Sequence, residues 1–234
     1  NNSNIKFWIA SDPNGNDAGK SGYFITTEYS INGNTIKAKF THPNYLEEQY
    51  KPYRNDSIKI VDITNPNPPI YTIPMQIYRA PVVMVHGLWG GTNEDAFHTT
   101  KDFLHTRGGY IEYFLDVADY YTTHDKTFYE NKDVVPREIV NVLANLRNNK
   151  FSCGKVDLVG FSMGGCLSRQ YLQSTEYPTK NDINKLITIN TPHFGSQWAN
   201  LLTNTTSVEA DVARIIAQPI VRRLFNGSIY NGAV

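Results

Sequence analysis

Val156–Leu167 reads VDLVGFSMGGCL, and this stretch decides how the chain can fold. At its centre is a Gly-x-Ser-x-Gly motif made by Gly160, Ser162 and Gly164. Such a motif fits a tight strand-to-helix turn, because the turn projects the serine oxygen from the top of a sheet and leaves no room for neighbouring side chains. The helix that follows would point its free amides at the site and favour developing negative charge there. The motif predicts that Ser162 is a nucleophile.

The residues on either side of the motif support this interpretation. Lys155–Gly160 alternates as a short strand does, and Met163–Thr175 has the spacing of an amphipathic helix. The residues predicted to face inward on this helix are Met163, Cys166, Leu167, Gln170 and Tyr171. Because Gly-x-Ser-x-Gly also occurs by chance in glycine-rich loops, the alternative is that Ser162 lies in an ordinary turn. The strand before it and the helix after it favour the nucleophile.

From residue 80 onward, strand-like and helix-like segments alternate. The predicted strands are Pro81–His86, Tyr110–Val117, Lys155–Gly160 and Asn184–Asn190. The predicted helices are Ala96–Thr106, Asp133–Asn148 and Met163–Thr175, and the apolar residues Val135, Ile139, Val142, Leu143 and Leu146 fall on one face of the second. Such alternation predicts a mostly parallel sheet with flanking helices, an α/β fold over residues 79–234.

Residues 1–78 have a different texture, with short alternating runs bounded by Gly, Asn, Asp or Pro clusters. These runs indicate antiparallel strands joined by tight turns, and they are Tyr23–Tyr29, Thr35–Phe40, Ser57–Ile63 and Ile70–Tyr78. We predict a small β-sandwich-like module here that contributes no catalytic group. The alternative is that these strands form the antiparallel edge of the larger sheet.

Composition excludes some classes of protein. Lys plus Arg and Asp plus Glu both number 22, so a neutral chain gives no support for nucleic-acid binding. No apolar run reaches the about 20 residues that cross a bilayer, and no signal peptide is visible.

The opening Asn1–Asn4 suggests a piece of a longer precursor. The richness in Asn, Tyr and Thr suits a secreted or cell-surface protein, and the only two cysteines, Cys153 and Cys166, are expected to be free thiols.

Acyl transfer by a serine also requires donors aimed at the oxyanion of the tetrahedral intermediate. One donor is the backbone amide after the nucleophile, which here belongs to Met163. The second should come from the loop after an early strand. Val82–Gly91 reads VVMVHGLWGG and supplies such a strand and loop.

Three blocks of sequence now carry a family resemblance: residues 86–88 (HGL), 160–165 (GFSMGG) and 190–196 (NTPHFGS). With these blocks, residues 80–200 resemble the α/β-hydrolase superfamily, and within it bacterial true lipases and esterases. The resemblance implies that Leu88 supplies the second oxyanion amide, that His86 is structural, and that the 190–196 block shapes the floor of the site. It implies cleavage of small-molecule or lipid carboxylic esters through an acyl-enzyme on Ser162, with transient contact at a lipid interface. No cofactor or metal is expected.

The acid and base of the catalytic triad do not emerge from the sequence. In the fold that the chain resembles, they follow the nucleophile in the order Asp or Glu, then His. After Asn190 we find no further strand, and residues 197–202 and 208–224 are interpreted as helices that form a lid over an acyl groove or cover the sheet. Glu209 and Asp211 are interpreted as solvated helix charges. We expect the acid and base beyond Val234.

Other histidines are weaker candidates for the base. His193 follows the strand after the nucleophile helix, but in the family its block shapes the floor of the site. The remaining four are interpreted as surface or helix residues: His42, His98, His105 and His124. 

Two further functions remain open at this point. An acyltransferase or peptidase could use the same serine. A non-catalytic binding module would suit a chain without acid and base, but such a module has no physical need for an intact oxyanion segment and a strained turn.

Overall fold

The computed structural model describes residues 4–16, 18–24, 30–32, 35–43, 45–47, 50–88, 90, 96–123 and 126–197. The chain separates into two compact units, Asn1–Arg79 and Ala80–Val234. Each unit has its own set of sheets, and each is described by itself.

The first unit is built mainly of short antiparallel strands. Its elements are β1 (Ile5–Ile9), α1 (Ala18–Ser21), β2 (Tyr23–Phe24), β3 (Ser30–Asn32), β4 (Thr35–Lys37), β5 (Phe40–Thr41), β6 (Tyr53–Asp62) and β7 (Tyr71–Tyr78). A three-stranded sheet has the order β1-β6-β7, while β2 pairs with β5 and β3 pairs with β4. The small β module expected before residue 79 is therefore present among the described residues.

The first strand of this unit is absent from the sequence prediction. In β1, Ile5–Ile9 reads IKFWI, and the apolar Trp8 breaks the apolar–polar alternation that marks a half-buried strand. The structure pairs β1 with the last five residues of β6, from Ile9 opposite Ile58 to Ile5 opposite Asp62. Cross-strand pairing, rather than local pattern, makes this segment a strand.

Aromatic packing covers one side of the β1 end of this sheet. The ring of Phe7 lies 5.5 Å from that of Phe24, and Phe24 lies 5.3 Å from Phe40. Ile9 on the same strand is only 2% exposed. The three rings are partly buried, and the buried hydrophobic residues in the described part of this unit are Ile9, Leu46, Val61 and Ile77.

The second unit has the predicted α/β architecture. Its elements are β8 (Val82–Val85), α2 (Ala96–Thr106), β9 (Leu115–Ala118), α3 (Val134–Asn148), β10 (Val156–Phe161), α4 (Met163–Leu172), α5 (Tyr177–Lys180) and β11 (Ile183–Ile189). The four strands form one sheet in the order β11-β10-β8-β9, and every neighbouring pair is parallel. The predicted α/β fold class is confirmed.

The core of this unit packs β8 and β9 against Phe97 of α2, and α3 contributes a second set of buried residues. All four residues of β8 are buried, as expected for a strand covered on both faces. The five apolar residues predicted to share one face of α3 are all buried as well. The helical spacing of apolar residues in α3 and the continuous apolar run of β8 therefore identified these core residues correctly.

Two predicted elements differ from the structure. The predicted strand Tyr110–Val117 begins only at Leu115, because Glu112–Phe114 forms a 3-10 turn closed by a hydrogen bond from the Phe114 amide to the Ile111 carbonyl (2.9 Å). This turn buries the ring of Phe114, which packs edge-on against Phe151. The helix predicted over Met163–Thr175 ends at Leu172.

The buried face of α4 also differs from the one predicted. Its buried residues are Gly164, Gly165, Leu167, Ser168 and Tyr171, while Met163, Cys166 and Gln170 are only partly covered. Small residues allow close approach to the sheet, and the Ser168 hydroxyl is satisfied by the Gly164 carbonyl at 2.7 Å. A pattern of hydrophobic residues cannot predict a helix face that is buried because its residues are small. The predicted helices over 197–202 and 208–224 lie outside the described residues, apart from Gln197.

Truncation of one buried leucine side chain on α3 tests this packing. Leu146 is 0% exposed, so Leu146→Ala should lower the free energy of unfolding by about 2–5 kcal/mol, measured by urea denaturation. Val140 lies on the same helix at 50% exposure, and Val140→Ala should change it by less than about 0.5 kcal/mol. Equal losses for the two variants would contradict the assigned core face.

Candidate active site

Ser162 occupies the turn between β10 and α4, at the carboxyl edge of the parallel sheet. Its backbone has φ 52° and ψ −122°, a conformation that residues with a side chain rarely adopt. The Ser162 amide donates to the carbonyl of Ile189 on the neighbouring β11 at 2.9 Å, and the Ser162 carbonyl accepts from the Gly165 amide at 3.1 Å. These bonds hold a backbone that would otherwise cost about 1–3 kcal/mol.

The glycines of the motif are required by close approach of other backbone atoms. A Cβ on Gly160 would lie 2.5 Å from the Cα of Gly165. A Cβ on Gly164 would collide with the carbonyl oxygens of Val85 and His86 at the end of β8. The spacing read in the sequence therefore reflects steric fit between this turn and two adjacent segments.

The loop predicted to complete the oxyanion hole lies beside Ser162. A Cβ added to Gly87 would stand 3.1 Å from the Cβ of Ser162. Leu88 follows Gly87 directly, and Met163 is the first residue of α4, so both residues whose amides were predicted as donors are adjacent to this contact. Their role as donors stays a prediction.

The imidazole of His86 has both nitrogens in hydrogen bonds. Nδ1 lies 2.8 Å from the Gly87 carbonyl, and because a carbonyl only accepts, Nδ1 carries the proton. Nε2 accepts the backbone amide of Tyr120 at 3.1 Å, while the Asp119 carboxylate near it, at 3.4 Å, accepts the Tyr121 amide. A ring that is 1% exposed and bonded on both sides is unsuited to take a proton from Ser162. This arrangement supports a structural His86.

Tyr120 is a residue of the site that sequence reasoning missed. Its ring stacks on His86 with centroids 4.0 Å apart and planes within 4°, and it is 2% exposed. Its hydroxyl donates to the His86 carbonyl at 2.7 Å. The available signal was an aromatic residue placed just after a predicted strand, which is too common to single out. Tyr120 is a positioning residue for the His86–Leu88 loop.

His193 lies in the turn after β11, and its ring is engaged elsewhere than at Ser162. Nε2 is 3.2 Å from the Thr188 hydroxyl, and the His193 carbonyl is 3.5 Å from the Arg169 guanidinium. The turn itself is closed by the Gly195 amide, which donates to the Pro192 carbonyl at 3.0 Å. The role of this block as the floor of the site stays a prediction.

The remaining histidines of the described residues are exposed, as expected. His98 lies 3.7 Å from Asp102 on α2, and His105 contacts the Tyr110 carbonyl at 3.1 Å. His42 belongs to the first unit. Three residues weighed in the sequence lie outside the described part of the chain: His124, Glu209 and Asp211.

Cys166 is one turn beyond Ser162, yet it is a poor second nucleophile. Burial raises the pKa of its thiol, which keeps the sulfur protonated near neutral pH. The sulfur approaches the Pro192 carbonyl at 3.8 Å. Cys153 and Cys166 are both free thiols, as expected.

Within the part of the chain that the structure describes, no three or more His, Cys, Asp or Glu side chains come together as a metal site. No helix there combines the length and the apolar character that crossing a bilayer requires.

Comparison with known protein families identifies a match for the second unit. The family model described as palmitoyl protein thioesterase matches residues 81–231, which is more than half of the chain and includes both the His86–Leu88 loop and the Ser162 turn. No curated protein matches the chain.

Tyr120→Phe tests whether Tyr120 positions the loop. The change removes the bond to the His86 carbonyl and keeps the ring stack, so Ser162 should react with a fluorophosphonate about fivefold more slowly, as expected for loss of about 1 kcal/mol. Tyr121→Phe is the matched control, because Tyr121 is 40% exposed. An unchanged labelling rate in Tyr120→Phe would show that the loop holds without this bond.

Proposed function

Because the chain belongs to the palmitoyl protein thioesterase family, we propose that it hydrolyses fatty acyl thioesters through an acyl-enzyme on Ser162. The observation that carries the proposal is the strained turn at Ser162, held at the edge of the parallel sheet beside Gly87. A thioester carries sulfur in the position where the carboxylic ester predicted from sequence carries oxygen. Both share the carbonyl carbon that a serine attacks.

The proposed reaction proceeds in two steps. The Ser162 oxygen attacks the thioester carbonyl, a base takes the serine proton, and the carbon–sulfur bond breaks as the proton passes to the departing sulfur. Water then attacks the acyl-serine, releases the fatty acid and returns a proton to Ser162. In both steps the amides of Leu88 and Met163 stabilise the oxyanion, and loss of one such donor costs about 2.7–4 kcal/mol.

The identity of the base and acid stays a prediction. The contacts of two described histidines support the proposal that neither of them is the base. Both nitrogens of His86 are bonded, and Nε2 of His193 faces Thr188. A serine without a base is a weak nucleophile, so the proposal depends on residues that these contacts do not include.

Other uses of the same turn are weaker proposals. An acyltransferase or peptidase would form the same acyl-enzyme and differ only in its substrates. A non-catalytic module is disfavoured because a positive φ at Ser162 is a strain that binding alone does not require. For residues 1–78, we propose no catalytic group. We further propose that the chain meets its substrate during transient contact with a lipid interface.

Ser162→Ala should abolish hydrolysis of a soluble short-chain thioester, by about a thousandfold or more, because the attacking oxygen is gone. Release of the free thiol measures the rate. His193→Gln is the second arm and should leave the rate unchanged if the base lies elsewhere. Loss of activity in His193→Gln comparable to that in Ser162→Ala would instead assign His193 as the base, and full activity in Ser162→Ala would refute the proposed nucleophile.

Matched substrates separate thioesterase from carboxylesterase. A thiol leaves more readily than an alcohol, because its pKa of about 8.5 is far below that of an alkanol. We expect a higher kcat/KM for the thioester than for the oxygen ester of the same acyl chain. A higher value for the oxygen ester would favour the lipase or esterase function predicted from sequence.

A further inference from the structure

The hairpin formed by β6 and β7 exposes large apolar side chains around its connecting loop. Ile63 is 44% exposed, Ile70 58%, Tyr71 62% and Ile73 49%. We call these four residues the hairpin tip. Single exposed apolar residues are common on soluble proteins, but several together mark a surface that contacts something else.

The hairpin tip continues the apolar face of the three-stranded sheet. Ile73 lies opposite Ile58 in the ladder, and Ile58 lies opposite Ile9 on the far strand. Opposed residues of antiparallel strands share one face. Ile9 is 2% exposed and Ile73 49%, while Ile77 further along β7 is 2% exposed. The same face is therefore covered at β1 and at the end of β7, and uncovered at the start of β7.

Both faces of the strand are uncovered at this end. The first four residues of β7, Tyr71–Pro74, are all exposed, and consecutive residues of a strand point to opposite faces. A folded partner would cover one face, whereas a fluid apolar medium covers both. Pro74 also lacks the amide that an added strand would need, which disfavours pairing with a second copy along this edge.

The small size of the hairpin tip also argues against a protein partner. At about half exposure, four side chains offer well under the about 800 Å² per partner of a standard protein interface. The patch is too small for a stable dimer, but shallow insertion into a bilayer needs only a few apolar anchors.

The loop of the hairpin is shaped by its own hydrogen bonds. The Asp62 carboxylate accepts the amide and the hydroxyl of Thr64 at 3.0 and 2.7 Å, and the Asn67 amide donates to the Asn65 side chain at 3.0 Å. These bonds leave the amides of Thr64 and Asn67 already paired within the loop, so that neither needs water as an acceptor. Near the tip the charged residues are Lys6, Lys59 and Asp62, few in number and of both signs, which leaves apolar contact as the main attraction for lipid.

We propose that the hairpin tip inserts into the interfacial region of a lipid bilayer and holds the protein where acyl substrates lie. This inference rests on the proposed function, since a fatty acyl chain partitions into membranes and its thioester must be reached there. Binding should depend on apolar side chains, with little dependence on lipid charge.

Sedimentation of the full chain with phosphatidylcholine vesicles tests the proposal. Ile70→Ser/Tyr71→Ser should reduce the vesicle-bound fraction about tenfold or more, because each change removes a large apolar side chain from the insertion surface. Tyr129→Ser/Val140→Ser is the matched control, with native residues 72% and 50% exposed in the second unit, and should bind like the wild type. Raising the ionic strength to about 1 M should leave binding unchanged.

Equal binding of the tip variant and the wild type, or wild-type binding only to anionic vesicles at low salt, would overturn the proposal. Ile63→Ser changes a residue outside the strands, so it should leave the sheet folded. A partial loss of vesicle binding in this variant would show that the loss in the double variant does not come from misfolding. Hydrolysis of a soluble thioester is measured in parallel. A tip variant that hydrolyses it normally but no longer binds vesicles supports the docking surface. A wild type that hydrolyses it without binding vesicles removes the docking surface and leaves the proposed function intact.

Discussion

The positive φ of Ser162 is the constraint on which the rest of the second unit depends. A residue with a side chain stays at φ 52° only where its surroundings supply more stabilisation than the strain removes. Here a hydrogen bond from the Ser162 amide to Ile189 ties the turn to β11, and the absence of a side chain at Gly164 brings α4 against the end of β8. The parallel order β11-β10-β8 is what places both neighbours within reach.

The loop beside Ser162 is held by a different set of contacts. Its backbone runs beside Ser162 at Gly87. The buried ring of His86 fixes the loop through one carbonyl and one amide, and Tyr120 covers that ring and bonds the His86 carbonyl. A fully satisfied buried network of this kind is rigid, and rigidity is what electrostatic stabilisation of an oxyanion requires.

Local sequence patterns predicted much of this architecture and missed the parts that depend on distant partners. The helix predicted over Ala96–Thr106 matches α2, and the apolar face of α3 is the buried one, because both follow from periodicity alone. β1 went unpredicted because pairing with β6 makes it a strand. The inner face of α4 was misjudged because the glycines and Ser168 are buried for their small size, a property that hydrophobicity does not record.

By itself the sequence determined the α/β class of the second unit, the position of Ser162 on a strand-to-helix turn and the neighbouring loop that begins at His86. These features follow from residue types whose steric demands are local, above all the glycines beside Ser162. Only the tertiary structure decided that Tyr120 supports His86, that His193 turns towards Thr188, and that the apolar face of the small sheet is open at the start of β7. Those outcomes depend on which segments meet in space, and contacts between residues far apart in the chain leave no periodic trace in it.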